Sequence, residues 1–142
     1  MRTATTVLAL VTAIVALGVA AVAQASTAAG SAGPKPAIEI TSNIGKVIAT
    51  KAKLGLYTWD VEKKAGGKIR CTGTCAMEWP PVYVAKPVAK HVKGVMATFG
   101  TVKRGKRLQL TVNGLPAYTY KGDTARVVKC DGVDGWHAVR PM

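Results

Sequence analysis

The chain has 142 residues, 49% of them hydrophobic, and carries 20 Lys and Arg against 7 Asp and Glu, a formal net charge of +13. That length suits one small domain with only a modest core. The charge excess favours anionic partners and solubility and carries no information about fold.

Arg2 and the terminal amine give a short positive start, and no charged residue falls between Val7 and Ala23. Ala23-Gln24-Ala25 then places small residues at the two positions that a signal peptidase reads. Residues 1–25 therefore read as a signal peptide cleaved before Ser26. A retained anchor fits less well, because an apolar run of about 17 residues is at the short limit for a bilayer span. No Lys or Arg follows it until Lys35, and no Cys precedes Cys71, so neither a stop-transfer flank nor a lipid anchor is expected. Removing the first 25 residues leaves 117, with 19 basic and 7 acidic side chains. The expected product is an exported chain, periplasmic or extracellular, soluble and without a stable membrane span. An anionic envelope component suits its charge, whereas nucleic acid fits the charge but not the compartment. A surface of solvated lysines adapted to an acidic habitat is the alternative.

Residues 26–37 are small residues, Gly and Pro, and are expected to form a flexible lead-in. From 38 to 142 a single β-rich domain is expected, because short runs of β-branched and aromatic residues alternate with turn signals. The runs predict strands at Lys46–Thr50, Leu54–Asp60, Thr98–Val102, Arg107–Val112, Leu115–Tyr120 and Trp136–Arg140. Asn113-Gly114 is the strongest hairpin signal, since both residues tolerate the positive φ of a two-residue type I′ turn. Thr72–Trp79 is expected to hold one helical turn, stopped by Pro80-Pro81. The fold class is mostly β: a small antiparallel domain with little helix, built from two related hairpin units at about 45–83 and 98–141.

The two units are related by an internal echo. Gly55-Leu56-Tyr57-Thr58-Trp59-Asp60 reads like the stretch from Leu115 through Tyr118 and Tyr120 to Asp123: in each, a Tyr is followed two residues later by another aromatic and then by an acid. Positions two apart share one face of a strand, so Tyr57 and Trp59 are expected side by side, as are Tyr118 and Tyr120. Around these positions run GLYTWD, CTGTCAMEWPP, the Asn-Gly hairpin and GWHAVRP. In this order the chain resembles the bacterial family called secreted repeat of unknown function, whose lipoprotein members carry a Tyr-x-aromatic-x-x-Asp motif. The second copy matches that motif in full; the first departs at Glu62, with Asp60 nearer. The resemblance implies an envelope location and a β-rich fold, and it implies no reaction. The lipid-attachment Cys of many members is absent, so lipid anchoring is not carried over, and Cys130 is not a position expected from the family.

Three cysteines is an odd count in an oxidising compartment. Cys71 and Cys75 are neighbours that can close a disulfide if Gly73 bends the segment, and Cys130 is left over. The alternative is a periplasmic copper-binding or electron-transfer accessory, with Cys71, Cys75 and His137 as ligands, since soft thiolates select Cu(I). His91, Met77 and Met96 are further candidate ligands for that reading. No cofactor is otherwise expected. His91 lies among lysines and reads as solvated; His137 should face opposite to Trp136 on the last strand. The tyrosines and tryptophans read as core, where aromatics dominate the area of small β domains. Neither a nucleophile–base–acid triad nor a Gly-rich phosphate loop can be assembled. The expected function is that of a non-enzymatic binding or structural module of the cell envelope.

Overall fold

Alternating apolar residues build the first hairpin, β1 (Ile38–Ser42) and β2 (Gly45–Ala49), paired antiparallel from Ile38 opposite Ala49 to Ser42 opposite Gly45. The computed structural model describes residues 35–142, so the expected signal peptide and most of the expected lead-in lie outside the described residues. At the end of the lead-in, Ala37 is fully buried in the core. After the hairpin come β3 (Tyr57–Trp59), α1 (Asp60–Lys64), α2 (Thr74–Glu78) and β4 (Tyr83–Val84). A long connection leads to β5 (Phe99–Arg104), β6 (Arg107–Val112), β7 (Leu115–Pro116) and β8 (Trp136–Ala138). Every strand pairing is antiparallel and the two helices have five residues each, so the protein is a small, mostly β domain.

Turn chemistry fixes the registers. Asn113 and Gly114, at φ 50° and 81°, make the two-residue turn joining β6 to β7, as the sequence predicts. At the β5–β6 turn, Gly105 takes the first central position with φ 60°, as a type II′ turn requires. The helical turn expected within Thr72–Trp79 is α2.

Several strands are shorter than their apolar runs. The run Leu54–Asp60 yields only β3, because Asp60 already opens α1 and Gly55 makes no more than an isolated bridge to Ala49. The run from Leu115 keeps its ladder for two residues, since Pro116 has no N–H to continue it. Tyr118 then bridges two other segments, at Tyr57 and at Pro81. The last strand stops at Ala138, and β1 and β4 lie outside every predicted run.

The two halves are interlocked around a local two-fold relation. Leu56 N–H donates to Ile48, and Ala117 N–H to Leu110, at 2.8 and 2.9 Å. Ile48 N–H donates to Val139, and Leu110 N–H to Val82, at 2.8 and 2.7 Å. Val139 N–H donates to Leu56, and Val82 N–H to Ala117, at 2.8 and 3.0 Å. Each half therefore gives its final extended segment to the sheet of the other. At the centre Tyr57 and Tyr118 exchange both backbone hydrogen bonds, at 2.8 and 3.0 Å.

Strand alternation then sorts the side chains into two cores. Ile48, Leu56, Leu110, Ala117 and Val139 go to one, with Phe99 and Val112. Val47, Tyr57, Tyr118, Trp79 and Trp136 go to the other, with Cys71. Among the described residues no helix is long and apolar enough to cross a membrane.

Candidate functional site

The motif residues meet across the two-fold rather than within their own halves. The Tyr57 hydroxyl donates to Oδ2 of Asp123 at 2.7 Å, and the Tyr118 hydroxyl donates to Oε1 of Glu62 at 2.6 Å. Each tyrosine thus binds the acid of the opposite motif. Both acids also accept backbone donors: Glu62 from Arg70 and Cys71 at 2.7 and 3.1 Å, Asp123 from Lys129 at 2.9 Å. Such bonds keep a buried carboxylate from being stranded without partners. Glu62 sits on α1 and Asp123 in a turn, yet each lies five residues after its tyrosine. Glu62 is the acid that enters the core; Asp60 stays at the surface against His137. The first motif's departure therefore keeps the position and changes only the length of the side chain.

Burial, then the bond to Asp123, pushes the Tyr57 phenol well above its ordinary value; burial and Glu62 do the same to Tyr118. Burial also raises the Asp123 carboxyl, against the lowering effect of its two hydrogen bonds. Both phenols are thereby held as neutral donors. Oε2 of Glu62 is buried with no hydrogen-bond partner.

The aromatic contacts follow the same symmetry. Tyr57 and Trp59 do not lie against each other, and neither do Tyr118 and Tyr120, contrary to the same-face expectation. Tyr57 meets Trp79 edge-on, with centroids 5.1 Å apart, and Tyr118 meets Trp136 edge-on at 5.2 Å. Trp59 stacks on Trp136 at 5.0 Å, while Tyr120 tilts on Trp79 at 4.8 Å. Trp79 and Trp136 stack at 3.9 Å and close a run of four rings from Trp59 to Tyr120. Trp79 and Trp136, from outside the two motifs, make the ring contacts where a side-by-side pair is expected. Stacked and edge-on geometries are those that ring quadrupoles favour.

Two polar residues that sequence reasoning missed complete the site. Arg104 donates to the carbonyl of Cys71 at 2.5 Å, to Gln109 at 3.1 Å and to the Tyr118 hydroxyl at 3.4 Å. Gln109 is fully buried and donates to the carbonyl of Ala117 at 3.0 Å. The one available signal is Gln109 itself, a polar residue in the alternation Leu108-Gln109-Leu110.

Cys71 and Cys75 are joined in a disulfide with Cα atoms 5.2 Å apart. Their sulfurs are bonded to each other, and His137 lies on Asp60 at 3.1 Å. Among the described residues no three His, Cys, Asp or Glu side chains are gathered as a metal site. His91 is exposed, and Met77 and Met96 are 74% and 58% exposed. Cys130 is free and half-buried, beside the Tyr120 hydroxyl, whose proton it helps to hold. Its place is that of Cys71 in the other half. Arg70-Cys71 follows Glu62 and bonds it, as Lys129-Cys130 follows Asp123 and bonds the Asp123–Tyr57 pair.

No curated protein and no solved structure matches the chain. Residues 39–83, which hold Tyr57, Trp59, Glu62 and both bonded cysteines, match the family model described as secreted repeat of unknown function.

Proposed function

We propose that the protein is an exported, non-enzymatic module of the cell envelope that binds an anionic envelope polymer through its basic surface. One observation carries this reading: six of its seven acids, all but Asp134, are used internally. Glu62 and Asp123 are buried on the tyrosines. Asp60, Glu78 and Asp131 pair with His137, Lys121 and Arg140, and Glu39 accepts the backbone N–H of Met96. Of the 19 Lys and Arg beyond Arg2, only Lys121 and Arg140 have a carboxylate partner among the described residues. Apart from Arg104, which is half-buried on Cys71, Gln109 and Tyr118, the other described cations are exposed and have no carboxylate partner among the described residues, which attracts polyanions and repels cationic surfaces. Titration with an anionic polymer tests the reading. Affinity should fall steeply as salt rises, because exposed charges are screened beyond about 10 Å at 0.1 M ionic strength. Binding that ignores salt would remove the basic surface as the contact.

A further inference from the structure

The run of four rings from Trp59 to Tyr120 extends further than the core requires. Trp79 and Trp136 at its centre are 8% and 3% exposed and fill the second core. Its ends differ from its centre: Trp59 and Tyr120 are half-buried, and each comes from a different motif. Successive centroids are 5.0, 3.9 and 4.8 Å apart, so each ring lies against the next. Rings in direct contact exchange a single electron far more readily than rings separated by aliphatic packing, because their π orbitals overlap.

The two-fold relation gives the run two chemically different ends. Trp59 and Tyr120 hold equivalent motif positions, and Cys71 and Cys130 hold equivalent places behind the motif acids. At the first end the indole N–H of Trp59 donates to the carbonyl of Asp134 at 3.1 Å. A carbonyl is too weak a base to remove that proton, so a Trp59 that has lost an electron remains a strong oxidant. In that half Cys71 is closed in its disulfide and has no thiol hydrogen to give. At the other end Tyr120 carries a hydroxyl that loses its proton on oxidation, and beside it stands the free thiol of Cys130. Tyr57 and Tyr118 border the run edge-on at 5.1 and 5.2 Å, but each can pass its proton only to a buried carboxylate, from which it must return. Tyr120 is the phenol with a hydrogen-atom donor beside it.

We propose that the four rings conduct oxidising equivalents from Trp59 to the thiol of Cys130, so that a radical oxidant meeting the surface is discharged on a cysteine rather than in the core. A one-electron oxidant of the radical class takes an electron from Trp59 and is reduced. Electrons then step from Trp136 to Trp59, from Trp79 to Trp136 and from Tyr120 to Trp79, and the Tyr120 hydroxyl releases its proton to solvent. The hydrogen atom of the Cys130 thiol passes to the phenoxyl oxygen, which restores Tyr120 and leaves a thiyl radical. The net change is one oxidant reduced, one thiol converted to a thiyl radical and one proton released. Oxidation at a thiol is reversible in its first stages. The path uses none of the cations of the polyanion-binding reading and stands apart from it.

Pulse radiolysis in azide solution is the test, because azide radicals oxidise indoles by one electron and the indolyl and phenoxyl absorbances are distinct. In the unaltered protein, disulfide intact, indolyl decay should match phenoxyl growth at a first-order rate that does not change with protein concentration. Continuous irradiation should remove the Cys130 thiol while Trp79 and Trp136 survive in the peptide map. Tyr120→Phe keeps the ring and removes the hydroxyl; it should lose the fast phenoxyl growth and spare the thiol. Trp79→Phe keeps a ring in the stack, removes its oxidisable indole and should do the same; if it does not fold, Tyr120→Phe decides. Cys130→Ser should keep the growth and prolong the phenoxyl signal, and Tyr83→Phe, outside the run, should behave as the unaltered protein. A transfer rate proportional to protein concentration, or fast phenoxyl growth that survives Tyr120→Phe, would overturn the path. Equal thiol loss in Tyr120→Phe and the unaltered protein would show the oxidant reaching Cys130 directly, and would overturn its place at the end of the run.

Discussion

Tyr57 donates its hydroxyl to Asp123 at 2.7 Å across 66 residues of chain, so the first motif is completed only by the acid of the second. The bond sits beside the paired backbones of Tyr57 and Tyr118, and both aromatic residues are fully buried. Removing the hydroxyl leaves Asp123 with the Lys129 N–H as its one remaining strong donor. Tyr57→Phe is therefore expected to lower stability by about 1.5–3 kcal/mol, the range for a hydrogen bond to a charged group. Tyr118→Phe should cost less, because Glu62 retains two backbone donors. Urea unfolding checks both; a Tyr57→Phe midpoint equal to that of the unaltered protein would show that the pair contributes nothing net.

The same pairs set the response to pH. Tyr57 and Tyr118 have folded values raised above the ordinary value of 10.0, so the folded state holds protons that the unfolded state releases. Their contribution is complete below about pH 10 and is lost as pH rises beyond it. Alkaline titration should show the phenolate absorbance of these two residues appearing only together with loss of the far-ultraviolet β signal. Asp123, raised from 3.8, has the same sign: its contribution is complete below that value and declines as pH climbs through the folded value. In Asp123→Asn this decline should disappear from the difference between the two stability–pH curves.

Gly67 and Gly66 offer a matched pair in one turn. Both have positive φ, 81° and 68°, but a Cβ on Gly67 would stand 2.8 Å from the carbonyl oxygen of Gly114, while one on Gly66 meets nothing within 4 Å. Gly66→Ala should cost about 1 kcal/mol for the left-handed backbone alone. Gly67→Ala should cost clearly more, because a backbone carbonyl of the other half's hairpin must move. Equal thermal shifts for the two variants would contradict the close approach of Gly67 to that turn.

Alkylation of the denatured, non-reduced protein should label Cys130 alone, and peptide mapping should recover Cys71 joined to Cys75. So short a loop removes little unfolded-state entropy, so the Cys71→Ser/Cys75→Ser variant should fold, with a loss below about 3 kcal/mol. A map joining Cys130 to either residue would contradict this pairing.

Local chemistry was legible in the sequence where local chemistry decides. Asn113-Gly114 names its own turn, Cys71 and Cys75 their own short loop, and Pro80-Pro81 the end of α2. The repeat of tyrosine, aromatic and acid was legible as well, but not its partners, since sequence order cannot show that each tyrosine crosses to the other half. The matching of Trp79 with Trp136 was hidden by spacing. Trp79 follows its motif acid four residues later than Trp136 follows Asp123, and α2 occupies the difference. α1 was hidden because five residues give no helical period, and Arg104 because its apparent place is an exposed hairpin tip.

The exchange of final segments between the halves has a consequence for the order of folding. Ile48 and Leu56, in the first half, complete their hydrogen bonding only with Val139, close to the end of the chain. Leu110 and Ala117 wait in turn on Val82. Neither half closes its own sheet, and contacts of such long sequence separation form late and slowly. A growing chain must therefore remain open until Val139 is available, and the domain forms in one cooperative closure rather than half by half.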